Sequence, residues 1–203
     1  MSRISRKVGV MTLAVIVATP ALAQNADTTQ TSNRVLFLAA GGGGLSSTRD
    51  LDNSGTSNFK TGYNFFGSIG TRLQRYIALR GDVIYGKNEL KANGSSTGND
   101  LNKWFYGGAL QFQYPMARLT PYAFVGGGGI TLDQTGEGSN KTTGAGIVGL
   151  GLEYPFSGSG LGIFAQGSGL YYKLSDMSGT LAGFDRNQFD ITYAAGLSYR
   201  IPF

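Results

Sequence analysis

Read back from Phe203 in steps of two, the chain gives Ile201, Tyr199, Leu197, Ala195, Tyr193, Ile191 and Phe189. The residues between them are Pro202, Arg200, Ser198, Gly196, Ala194, Thr192 and Asp190. A period of two over this length marks a β-strand with two unlike faces, because successive side chains point to opposite sides of a sheet. One face is apolar and the other is small or charged.

The alternation recurs along the chain. "TGYNFFGSIGTRL" sets Tyr63, Phe65, Ile69 and Leu73 against Asn64, Ser68 and Arg72. "IALRGDVIY" sets Ile77, Leu79, Val83 and Tyr85 against Arg80 and Asp82, and "WFYGGALQFQY" sets Trp104, Tyr106, Leu110, Phe112 and Tyr114 against Gln111 and Gln113. "PYAFVGGGGITL" gives the apolar set Tyr122, Phe124, Ile130 and Leu132; "TGAGIVGLGLEYPF" gives Val148, Leu150, Leu152 and Tyr154 opposite Glu153. "LGIFAQGSGLYY" is weaker, with Ile163, Ala165 and Tyr171 opposite Gln166 and Ser168. "RVLFLAAGGGGL" is apolar on both faces, and its phase stays open. With the terminal strand, eight strands are predicted.

The connections alternate in length. Long polar stretches cover 46–58, 88–102, 133–141 and 175–186; the others are Gln74 to Tyr76, "PMARLT" and "PFSGSG". Short periplasmic turns and longer extracellular loops on an even number of antiparallel strands are features of an outer-membrane barrel. The expected fold is all-β, an eight-stranded antiparallel up-and-down transmembrane β-barrel with both ends on the periplasmic side.

The first residues change the charge picture. Arg3, Arg6 and Lys7 precede an apolar run from Val8 to Ala18, and Ala21 and Ala23 supply small residues for a cleavage site. Residues 1–23 therefore read as a secretory signal, 24–33 as a short polar segment and 34–203 as the barrel. The leader carries three of the 17 basic residues and none of the 12 acidic ones, so the net charge falls from +5 to 14 against 12, or +2. The basic balance is then no argument for nucleic acid. Charged residues are 14% of the chain, against about 25% in ordinary soluble proteins. There is no Cys to form disulfides. Beyond the leader no uncharged apolar run approaches the ~20 residues of a membrane helix, which leaves strands as the means of crossing a membrane.

A soluble up-and-down barrel would put the apolar face inside. Its outside would then be Ser, Gly, Gln and Ala with one or two charges per strand, a poor water-facing surface but a suitable filling for a narrow bore. With the apolar face turned to lipid, Tyr63, Tyr85, Trp104, Tyr171 and Phe189 gather near the long loops. Tyr114, Tyr122, Tyr154 and Phe203 gather near the short turns. These are two aromatic girdles.

The polar faces carry Arg72, Arg80, Asp82, Glu153, Asp190 and Arg200, expected to meet in the lumen as an ion-pair plug rather than as a gate. "GAGIVG" at 144–149 spells G-x-G-x-x-G, but a strand continues through it and no acid stands near position 169, so glycines that let strands pack explain it better than a dinucleotide site. Gly41–Gly44 and Gly126–Gly129 lack the Lys of a phosphate loop. "DLDNSG" at 50–55 copies the first half of a calcium loop, yet Thr61 stands where the bidentate Glu belongs. Asn93 and Asn140 match a glycosylation pattern that a bacterial envelope protein does not use. With no His in the chain, the usual base beside a Ser nucleophile and the preferred zinc ligand are absent. No enzyme, metal or cofactor is expected.

"LTPYAFVGGGGI", "GLEYPF" and the terminal "GLSYRIPF" resemble the eight-stranded outer-membrane barrel family, the OmpA/OmpX-like membrane domains and small porin-family surface antigens of Gram-negative bacteria. The resemblance covers the mature chain and rests on pattern. It implies that the last strand is read by the outer-membrane assembly machinery through Gly196, Tyr199, Ile201 and Phe203. It also implies that small barrel enzymes of this size class depend on a His. The expected role is non-enzymatic, envelope-structural or surface interaction through four long loops, with a passive small-solute pore as the alternative. Expected partners are outer-membrane lipid and lipopolysaccharide, the assembly machinery and an extracellular or host ligand on the loops. A monomer without nucleic acid is expected.

Overall fold

The computed structural model describes residues 35–48, 57–92, 95–116, 118–134, 140–174 and 186–202. The expected signal, the 24–33 segment, the "DLDNSG" stretch, Asn93 and Phe203 lie outside these residues. The strands are β1 Val35–Ser47, β2 Ser57–Phe59, β3 Gly62–Gln74, β4 Ile77–Ala92, β5 Ser95–Gln113, β6 Thr120–Gln134, β7 Asn140–Pro155, β8 Leu161–Leu174 and β9 Arg186–Pro202. Apart from the short β2, each pairs antiparallel with the next, and β9 returns to β1 from Val35↔Pro202 to Ser47↔Asp190. The result is a closed eight-stranded barrel. Closure satisfies every strand's ladder within the sheet, which is what allows strands to cross hydrocarbon.

The two faces separate as the alternation requires. Phe65, Ile69, Leu73, Leu79, Leu110, Phe112, Leu150 and Leu197 are all exposed on the outside, Leu150 by 71%. Side chains this apolar and this open to solvent belong against lipid. Midway along the barrel the outer wall thins where Gly81, Gly108, Gly127 and Gly146 are successive ladder neighbours. For β1 the open phase resolves with Leu38 outward and Val35, Phe37 and Ala39 lining the bore.

One strand is inverted relative to its pattern. In β6, Tyr122, Phe124, Ile130 and Leu132 are buried in the bore, while Val125 is 53% exposed on the outside. The cause is the neighbouring strand. Tyr122 is the ladder partner of Gly151 and Phe124 of Gly149, and a Cβ on either glycine would meet the facing ring at 2.4–2.5 Å. Without side chains at 149 and 151, β7 leaves inner volume that only large residues of β6 can fill.

The expected loop at 88–102 is also largely strand. β4 runs to Ala92 and β5 starts at Ser95, paired out to Ala92↔Ser95 with a register shift between Glu89 and Lys91. Polar residues form this ribbon because both of its faces leave the membrane, where apolar alternation has no force. β2 adds to it, pairing Ser57↔Ala92 to Phe59↔Leu90 on the β4 edge that β3 occupies lower down. At the other end the connections are tight. Gly158 (φ 80°) and Gly160 (φ 68°) supply the left-handed backbone of the β7–β8 turn, a conformation costly for other residues.

Candidate functional site

The polar filling of the bore is the candidate site, and its charges fall into three clusters along the axis. Nearest the short turns, Arg200 of β9 grips Glu153 of β7 with both arms, Nε to Oε1 at 3.0 Å and Nη2 to Oε2 at 2.6 Å. Ser198 Oγ donates to the same Oε1 at 2.7 Å. Two parallel charge-assisted bonds fix direction as well as energy.

The middle cluster centres on Arg80 of β4. Its Nε donates to Asp82 Oδ1 at 2.9 Å, Nη1 to Gln111 at 3.0 Å and Nη2 to Gln166 at 3.4 Å. The guanidinium carbon lies 4.1 Å from the centre of the Phe124 ring, with Phe66 at 5.5 Å and Tyr122 at 6.0 Å. Tyr122 in turn donates to Gln166 Oε1 at 3.1 Å. The inverted β6 thus delivers two of the three rings around this cation, and a partly desolvated guanidinium over an aromatic face gains on the order of 2 kcal/mol.

The third cluster, towards the long loops, pairs Lys103 Nζ with Asp190 Oδ2 at 2.7 Å. Tyr172 donates to that oxygen at 3.0 Å, and Ser47 donates to Oδ1. Lys103 also sits 4.6 Å from the ring centre of Phe59, so the short β2 closes over the pair. The side chains of Lys103 and Asp190 are 4% and 0% exposed; those of Arg200 and Glu153 are 20% and 12%.

The six charges expected in the bore are there, but their pairing differs in two respects. Asp190 is neutralised by Lys103, which the sequence reading missed, and not by an arginine. Arg72 lines the lower bore and makes no hydrogen bond or ion pair to a described residue. Lys103 was legible, since it precedes outward Trp104 and shares the parity of Gln111 and Gln113.

The space beside these clusters is small. One cavity of about 30 Å³ lies between the lower and middle clusters, and one of about 10 Å³ lies beside Lys103 and Asp190. The aromatic ring of Phe164, packed edge-on against Phe66 at 5.6 Å, helps fill the section at Arg80.

On the outside, Tyr63, Phe65, Tyr85 and Trp104 form one contiguous aromatic patch, Tyr85 and Trp104 with centres 4.8 Å apart. Tyr171 is exposed on the same face of its strand, with Phe189 its ladder partner. At the short turns, Tyr114 stacks on Tyr76 at 6.0 Å and Tyr154 packs against Phe156 at 5.9 Å. Tyr122, expected in this girdle, is instead 8% exposed inside the bore; Tyr76 and Phe156 occupy the girdle. Of the expected assembly signal, Tyr199 and Ile201 face outward and Gly196 falls on the lumen side of β9. Gly144, Gly146 and Gly149 of the G-x-G-x-x-G stretch lie inside β7.

A family model described as "Outer membrane protein beta-barrel domain" matches residues 10–184. No curated protein matches the sequence significantly. Among solved structures, neisserial surface protein A is similar with a TM-score of 0.53 and 18% identity, over 82% of this chain and 95% of that one. Ail, the attachment invasion locus protein of Yersinia pestis solved with the heparin analogue sucrose octasulfate, gives a TM-score of 0.51 and 13% identity over 83% and 98%. At these identities the neighbours show the fold. The matched domain and the closed, lipid-faced barrel together make this chain a member of the outer-membrane protein β-barrel family.

Proposed function

We propose that the chain is a non-enzymatic outer-membrane scaffold, envelope-structural or surface-interacting, whose long-loop end faces the outside. The observation that carries this reading is the filled bore. A solute path needs continuous width, whereas here the cavities beside the charge clusters measure about 30 and about 10 Å³, and Arg80 is caged by rings between the polar layers. Chemistry is poorly supplied as well: the chain has no His, and Asp82, Glu153 and Asp190 each neutralise a cation. The projecting β4–β5 ribbon, with Lys87 and Asp100 paired at 2.7 Å, is the natural contact element, because contacts concentrate on segments carried by rigid scaffolds. Ail is by its name an attachment protein, which supports testing adhesion first.

Planar-bilayer recording of the refolded protein tests the reading. A filled bore gives no steady single-channel current; stable, large conductance steps would make the chain a pore.

A further inference from the structure

We propose that the cavity near the short turns binds one small monovalent anion, of halide or formate size, held by Arg72. Three guanidiniums line this cavity, those of Arg72, Arg80 and Arg200, against the one carboxylate of Glu153. Arg80 is neutralised by Asp82 and Arg200 by Glu153. Arg72 remains, half-buried, with no hydrogen bond or ion pair to a described residue. A guanidinium keeps its charge in proteins, and burying a charge without a counter-charge is expensive. Among the described residues the lower bore therefore holds one more cation than carboxylate, Glu153 attracting Arg72 while it is bonded to Arg200.

A second donor faces the same space. The Ser68 hydroxyl is buried, lines the cavity and has no partner. It stands four residues from Arg72 on the inner face of β3. Asp82, its ladder partner, has a free Oδ2, so Ser68 has a choice of acceptor and the anion is assigned to Arg72. The ladder runs Ser68↔Asp82 above and Arg72↔Ala78 below, so Arg72 lies on the side of the cavity away from that carboxylate. The size of the ligand follows from the space. About 30 Å³ admits one or two water-sized groups, which suits chloride or formate better than a sugar acid. The site goes beyond the scaffold reading and does not depend on it.

The refolded chain is unfolded with urea in increasing sodium chloride, and in sodium gluconate at equal ionic strength. A ligand of the folded state alone raises stability with the logarithm of its concentration above Kd. Wild type is expected to gain stability in chloride over gluconate, and Arg72→Gln to lose that difference. If Arg72→Gln does not refold, crystals of the wild type grown in bromide replace it, with anomalous density expected beside Arg72. Equal behaviour in the two salts, a chloride effect retained by Arg72→Gln, or a bromide peak with no effect in solution would each overturn the proposal.

Discussion

Burial, more than sign or sequence, sets what each lumen residue contributes. Glu153 and Asp190 are both carboxylates bonded to a cation and a hydroxyl, yet Glu153 stands where its pair is partly open and Asp190 is sealed. Water reaching the Glu153 pair screens it, so Glu153→Gln is expected to cost about 1–3 kcal/mol, between the values for exposed and fully buried pairs. Urea unfolding in detergent followed by heat-modifiable gel mobility measures the shift. A cost as large as that of an Asp190 substitution would contradict the ordering by depth.

For the elements, alternation told how many strands there are and which faces most of them present, because lipid outside and a narrow bore inside punish every error of phase. It failed where the neighbour decided. Tyr122 and Phe124 share a parity that reads as lipid-facing, but Gly149 and Gly151 beside them make the inside the place where rings fit. A fluorophore on Val125→Cys should be quenched by brominated lipid and one on Phe124→Cys should not; the reverse would restore the simple pattern. The β4–β5 ribbon was not legible, since beyond the membrane neither face needs apolar residues. Its base nevertheless belongs to the core, with Asn88 and Leu101 each 1% exposed and Asn88 donating to the Lys60 carbonyl at 2.9 Å. Trimming residues 91–97 should leave refolding intact. Removing 88–102 should lower stability, because it takes Leu101 from the core, a loss typically worth about 2–5 kcal/mol. Equal stability of the two deletions would show that the ribbon's base is not part of the fold.

Across the whole molecule, the barrel is an inside-out protein whose core is polar. Its apolar surface faces lipid, and its stability must come from ladder bonds and from the filling of the bore. Eight buried side-chain polar atoms of the described residues lack a partner there, both amide ends of Gln134 and Gln188 among them, whereas the described charges of the bore are paired except at Arg72. The central claim is that this bore is a packed, paired interior and not a water-filled passage. The Lys103–Asp190 pair is buried as deeply as Arg80–Asp82 and, unlike it, joins two different strands across the bore, so it tests that claim most directly. The measurement is a double-mutant cycle in urea on Lys103→Met, Asp190→Asn and the two combined. The structure predicts that each single change costs on the order of 3–5 kcal/mol by stranding its partner, and that the double change costs well under the sum. Single changes worth roughly 0–1 kcal/mol that simply add, as for a solvated pair, would contradict it.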